Sequence, residues 1–340
     1  MDNPTRRTAK HSSALEAQVV ARRELRYSTS AEASLGRPDH VRAGSSLSWF
    51  GGRLAVLQDD ASFVALVDPS SGAVESIALP ADAAGRRVFD GAEGKANKPD
   101  FECSVVARVD GKEVLLALGS GSTARRETVA VLRADDLRAG EAGGARLVPA
   151  PALYYSLRAC LPFAGSELNL EGAVLVGDKR LWLFQRGNGA QRGDLEPVSS
   201  TCELSWSRFW SYLNSAELAP PPEIHAVVNY ELGDIEGVPL TFTDATLCPS
   251  SSTVLYVASA EDSPDTFRDG EVLGASVGLI SEAEVPWTWL LDEHGERLRD
   301  KLEGVALHPT LRGRAFICID PDDSTRPAEL CEVELRGPWP

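Results

Sequence analysis

Basic residues are the first thing this chain is short of: 34 Lys and Arg stand against 50 Asp and Glu, a formal net charge of −16. Nucleic acid and anionic membranes need dense Lys/Arg surfaces to displace counterions, so the charge argues against both as partners. It favours a cation or a cationic ligand. No run approaches the roughly 18 to 20 uninterrupted apolar residues of a transmembrane helix. The start, Met1-Asp-Asn-Pro-Thr-Arg-Arg, lacks the apolar core of a signal peptide, so the expected location is cytoplasmic. The six cysteines, Cys103, Cys160, Cys202, Cys248, Cys318 and Cys331, form no Cys-x-x-Cys pair, and the five histidines do not cluster. Buried free thiols are expected, and the donor set of a zinc or copper site is missing. There is no Gly-x-Ser-x-Gly elbow. Gly119-Ser-Gly-Ser-Thr-Ala-Arg-Arg126 does not match a P-loop and reads as a Gly/Ser-rich turn.

What is present is a phrase used four times: a carboxylate entering an apolar stretch, a turn, and a second apolar stretch ending in polar residues. It reads Asp100-Phe-Glu102-Cys-Ser-Val-Val, Leu170-Glu171-Gly-Ala-Val-Leu, Phe242-Thr-Asp244-Ala-Thr-Leu and Leu302-Glu303-Gly-Val-Ala-Leu. An altered fifth copy, Ser45-Ser-Leu-Ser-Trp-Phe-Gly-Gly-Arg53, opens the series without the carboxylate. The carboxylates are 69, 73 and 59 residues apart, too wide and irregular for a solenoid. Such intervals suit four-stranded propeller blades of roughly 40 to 50 residues with inserted loops.

The expected fold is therefore all-β: a single β-propeller of about five four-stranded blades, with six as the alternative. Residues 18–340 form the domain, and residues 1–17 are expected as a disordered N-terminal tail. Val19-Val-Ala-Arg-Arg-Glu-Leu-Arg-Tyr27 has no local partner, whereas the last repeat supplies only three strands, so the N-terminal strand is expected to close the ring. Leu204-Ser-Trp-Ser-Arg-Phe-Trp-Ser-Tyr-Leu213 spaces its large apolar residues three to four apart and predicts a short helical insertion near 203–216. Pro151 to Ala159 fits either an outer strand or a helical turn.

In such a ring the entry of each inner strand and the exit of the second strand share one face. Glu102, Glu171, Asp244 and Glu303 stand at entries. Gln58-Asp-Asp60, Gly119-Ser-Gly-Ser122, Gln185-Arg-Gly-Asn188, Glu261-Asp262 and Asp320-Pro-Asp-Asp323 stand at exits. Crowded carboxylates either raise one another's pKa or hold a cation, and hard oxygen donors suit Ca²⁺ or Mg²⁺. Glu102, Glu171, Asn188, Asp244 and Glu303 are the candidate metal ligands; Arg42, Asp59, Asp60, Lys98, Ser120 and Arg186 are the candidate ligand-binding residues. The competing account pairs the carboxylates with Arg42, Lys98 and Arg186 and holds no ion.

Lys98-Pro-Asp-Phe-Glu102, Asn169-Leu-Glu-Gly-Ala173, Gln185-Arg-Gly-Asn188, Gly237-Val-Pro-Leu-Thr-Phe-Thr-Asp244 and Leu302-Glu-Gly-Val-Ala306 resemble an uncharacterised bacterial β-propeller family. More distantly they are similar to phytase-like esterase and gluconolactonase-type propellers. In the lactonase type a Glu, an Asn and an Asp converge on one divalent cation, which the resemblance would place on a subset of Glu102, Glu171, Asn188, Asp244 and Glu303. The phytase-like group implies calcium and phosphoester substrates, although the sequence has no dense basic pocket. Two functions follow as expectations: binding of a small ligand or divalent cation at an acidic channel mouth, or metal-dependent hydrolysis of a lactone or phosphoester. A protein partner is compatible with either.

Overall fold

Short runs of Val, Leu, Ile and aromatic residues, each bounded by Gly, Pro or Asp turns, become strands in the computed structural model, which describes residues 4–136, 144–215, 218–249, 251–263 and 270–340. The fold is all-β and built from several sheets. Gly44–Phe50, Arg53–Gln58, Phe63–Val67 and Val74–Ala78 make one antiparallel meander. Phe101–Val109, Lys112–Gly119, Thr128–Arg133 and Ala145–Pro149 make a second. Leu170–Val176, Arg180–Gln185, Ser199–Ser205 and Ile224–Glu231 make a third. Val238–Leu247, Val254–Glu261, Val272–Ile280 and Pro286–Leu291 follow. Lys301–Leu307, Arg314–Asp320 and Glu329–Arg336 come last, completed by Glu16–Glu24, which lies antiparallel on Glu329–Arg336.

The strands inside each meander are largely buried on both faces, whereas outer strands such as Ala145–Pro149 and Ile224–Glu231 are partly exposed. All five residues of Phe63–Val67 are buried, for example. Leu57 and Val64 share a core with Leu115 and Ala130 of the second sheet. Leu116 packs with Leu183 and Leu204 of the third, and Phe184 with Phe242 and Tyr256 of the fourth. Val257 packs with Leu302 and Ile317 of the last, and Phe316 and Cys318 return to Leu47 and Val56 of the first. Burying each Leu or Phe of this kind contributes about 1.5–3 kcal/mol. The six cysteines are all buried and free.

The N-terminal segment overturns the expectation of a disordered tail over residues 1–17, of which 1–3 lie outside the described residues. Thr5–Thr8 runs parallel to Ile224–Glu231, Lys10–His11 pairs with Pro286 and Trp287, and Glu16–Glu24 begins before residue 18. Leu290 and Leu291 also pair with Ala17 and Gln18, joining the last two sheets along one hydrogen-bonded path. Polar composition did not exclude this, because a strand on an outer edge needs backbone pairing and little apolar surface.

Two excursions are helical. Trp206–Asn214 buries Trp206, Phe209, Tyr212 and Leu213; of the insertion expected near 203–216, residue 216 lies outside the described residues. Pro151–Ala159 takes the helical alternative, with proline in its first turn and Leu153, Tyr154 and Leu157 buried. No helix among the described residues is long and apolar enough to cross a membrane.

Candidate functional site at the ends of the inner strands

The first strand of each sheet carries a one-residue irregularity at the same place. Pairing with the second strand slips between Gly44 and Ser46, Phe101 and Cys103, Leu170 and Gly172, Phe242 and Asp244, and Leu302 and Gly304. The residues left out of the ladder are Ser45, Glu102, Glu171, Thr243 and Glu303. A bulge frees its residue from pairing and re-aims its side chain. Three of the five are glutamates.

Ser45, Glu102, Glu171 and Glu303 line a cavity of ≈ 340 Å³, bounded among the described residues by eleven carboxylates and six cationic side chains; Thr243 does not reach it. Most of these charges are matched internally. Lys98 Nζ lies 2.7 Å from Asp100 Oδ1 and also contacts Asp59 Oδ2. Arg126 reaches Asp100 Oδ2 at 2.7 Å. Arg42 holds Asp60 at 2.5 Å and Asp90 at 2.6 Å. Arg186 joins Glu261 at 2.5 Å and Glu171 at 3.3 Å. Lys301 stands 3.6 Å from Glu303 and 3.8 Å from both Asp320 and Asp322.

Glu102 differs: it makes no hydrogen bond or ion pair with any described residue, although it lines the cavity. Burial pushes its carboxyl well above the usual glutamate range, and the charges of Asp100, Asp59 and Glu171 push it further. One oxygen each from Asp59, Asp100 and Glu102 lies within 4.8 Å of the others. Burial raises Glu171 to about 7 despite Arg186. Asp60 rises to about 6 through burial and its neighbour Asp59, and Asp320 to about 6 through burial. Asp100 goes the other way: burial opposes its ionisation, but Lys98 and Arg126 outweigh it and hold the carboxyl low. Asp100 also adopts the left-handed backbone region, φ +57°, which costs a non-glycine residue about 1 kcal/mol.

Asp244 is corrected by this geometry. The bulge that aligns with Glu102, Glu171 and Glu303 falls on Thr243, so Asp244 occupies the paired position below, shared with Ser46, Cys103, Gly172 and Gly304. There it is buried away from the cavity lining. Its carboxylate accepts the backbone N–H groups of Ala245 at 2.8 Å, Val305 at 3.0 Å and Leu47 at 3.4 Å. It ties three inner strands together rather than facing a ligand. A one-residue shift along a strand reverses the face a side chain takes.

Of the other expected residues, Arg42, Asp59, Asp60, Lys98, Glu102, Glu171, Arg186, Asn188 and Glu303 all line the cavity. Ser120 does not; fully buried, it donates to Asp100 Oδ2 at 2.5 Å and supports that carboxylate from behind. Gln58 and Gln185, read as exit residues, are buried braces: each accepts the backbone N–H of the segment entering its inner strand, Arg42 at 2.8 Å and Asn169 at 2.7 Å.

Sequence reasoning passed over Asp100, Asn169, Lys301, Glu261 and Asp320 as site residues. The signal was there for three of them. Asp100, Asn169 and Lys301 each stand two residues before a bulged glutamate, and alternation puts i and i+2 on one face. Asn169 Nδ2 accordingly donates to Glu171 Oε1 at 2.7 Å and to Asn188 Oδ1 at 3.2 Å.

Solved structures similar to the chain include the following three. A GH43 β-1,3-galactosidase with galactodeoxynojirimycin shares 10% identity over 91% of this chain and 94% of that one, TM-score 0.48. Myxococcus xanthus glutaminyl cyclase shares 12% over 98% and 99%, TM-score 0.44. The RRP9 WD40 repeats share 10% over 94% and 100%, TM-score 0.44. Likeness at this level assigns no activity. A search of the curated proteins found no match. Residues 40–335, which hold every inner strand and every charged group of the cavity, match one family profile, and the chain belongs to that family of unknown function, DUF6929.

Proposed function

We propose that this chain is a five-bladed propeller whose acidic mouth binds a small ligand bearing a cationic group, with Glu102 as the carboxylate that receives it. Five blades are supported by the succession of shared cores, each sheet packing on the next and the last on the first. The ligand reading is carried by one observation: Glu102 lines the mouth with no hydrogen bond or ion pair to a described residue, Lys98 acting on it only at longer range, while its neighbours are matched by Arg42, Lys98, Arg126, Arg186 and Lys301. In the empty site Glu102 favours its proton. A ligand cation lets it ionise, so binding releases a proton and tightens as pH rises, until the free carboxyl is itself ionised.

The test is calorimetry with ethylenediamine and arginine as probes, beside a neutral diol, in buffers of different ionisation enthalpy. Binding of the amines with proton release, lost in Glu102→Gln, supports the reading. Equal binding of the diol, no binding of either amine, or binding without proton release sinks it.

A second reading, a divalent cation on Asp59, Asp100 and Glu102, rests on the 4.8 Å grouping of their oxygens. Hard oxygens suit Ca²⁺ or Mg²⁺, but Lys98 already bridges Asp59 and Asp100 and would have to move. Elemental analysis with thermal unfolding in chelator and in added Ca²⁺ decides it. A stoichiometric ion would justify trials on lactones and phosphoesters, with the ion polarising the carbonyl or phosphoryl oxygen.

A further inference from the structure

A second cleft lies far from the mouth in character, between the N-terminal segment and the turn that precedes Pro286. Its rim holds Arg6, Arg7, Lys10 and His11, opposed by Glu284, on a chain whose net charge is −16. Its floor is apolar, with Leu15, Leu279 and Val285 buried. Arg7 is partly used, donating to the Ser281 carbonyl at 2.6 Å. Arg6 and Lys10 are exposed, and their side chains make no hydrogen bond or ion pair with any described residue.

Three successive residues, Arg6, Arg7 and Thr8, line the cleft. Neighbouring residues of a strand face opposite ways, so a cleft that meets all three opens on the strand's edge and not on one face. Among the described residues, Thr5–Thr8 is the outermost strand of its sheet and pairs only with Ile224–Glu231. An open edge, an apolar floor and unmatched cations are together the complement of an extended chain with alternating acidic and apolar side chains.

We propose that this cleft docks an extended acidic peptide, which adds as a strand beside Thr5–Thr8 and sets its carboxylates on Arg6 and Lys10. The probe is a fluorescein-labelled octapeptide of alternating Glu and Val, followed by fluorescence anisotropy against the full chain. Saturable binding is expected, absent for the Lys/Val counterpart and weakened by salt. The double variant R6E/K10E should lose about tenfold or more in affinity while its thermal midpoint stays unchanged, because both side chains are solvent-exposed. The proposal is overturned by the absence of saturable binding or by equal binding to the variant. It is also overturned if equimolar inorganic phosphate displaces the peptide, which marks a small-anion site. Preferential binding to phosphatidylserine vesicles, lost in the variant, would overturn it in favour of a membrane surface.

Discussion

Glu171 and Asp244 are both buried carboxylates, yet their surroundings assign them opposite work. Glu171 titrates at about 7 where a free glutamate titrates near 4.5. Its folded pKa is raised, so its stabilising contribution is complete below the unfolded value and lost as pH rises through the folded one. Glu171→Gln should therefore flatten stability between about pH 4.5 and 7, removing a slope on the order of 1–3 kcal/mol; urea unfolding at several pH values checks this, and an unchanged slope would count against it. Burial also raises Asp244 well above the aspartate range. An amide offers a single acceptor oxygen where Asp244 uses both of its own, so Asp244→Asn turns an NH2 against at least one of the three backbone N–H groups and should cost about 1–3 kcal/mol at neutral pH. Asp244→Ala leaves buried N–H groups of three strands unmatched and should cost about 3 kcal/mol or more, read from chemical denaturation.

At the scale of elements, the bulge separates two kinds of position. At four of the five bulges the unpaired residue, Ser45 or a glutamate, lines the cavity, and at the fifth Thr243 is fully buried, whereas the paired residue after the bulge is confined by the neighbouring inner strand. A Cβ on Gly304 would meet the Leu47 backbone N at 2.9 Å and its Cβ at 3.0 Å. Gly304→Ala should destabilise by about 1–3 kcal/mol through this contact, with no change in the residues lining the cavity. Thermal unfolding of the variant measures it.

The repeated phrase made the inner strands legible, because apolar runs entered by a carboxylate recur with the element itself. Glu102, Glu171 and Glu303, which it singled out, sit at the bulges and line the cavity. The phrase misplaced Asp244 because matching by charge ignores the slip that the ladder makes at Thr243. Ser120 reads as a ligand-binding residue for a related reason: a polar side chain at a strand exit looks the same whether it faces a cavity or, like Ser120, Gln58 and Gln185, braces a neighbour. The pairing of residues 5 to 11 carried no local signal, since its partners are more than 200 residues away.

For the whole molecule, carboxyls with raised pKa outnumber the lowered ones within the cavity. Asp60 and Asp320 at about 6 and Glu171 at about 7 give up protons between about pH 6 and 7 in the folded chain, but at lower pH when unfolded. The folded state then holds more protons between about pH 4 and 7, and stability falls as pH rises through that window. The thermal midpoint should be higher at pH 5 than at pH 8; the reverse order would contradict the charge network described. Deletion through residue 24 should cost far more than any of these substitutions, because it strips the edge of Glu329–Arg336 and removes the buried Ala17 and Val19. Aggregation or loss of the cooperative transition is the expected outcome, measured by calorimetry and light scattering.

The pairing of Glu16–Glu24 with Glu329–Arg336 also sets an order of events in time. During synthesis Glu16–Glu24 has no partner until Pro286–Leu291 has been made, roughly 270 residues afterwards, and its long antiparallel pairing waits for Glu329–Arg336. Loop closure over such a distance is slow. The earlier meanders can form from local hairpins, and the last one is complete only when Glu16–Glu24 meets Glu329–Arg336.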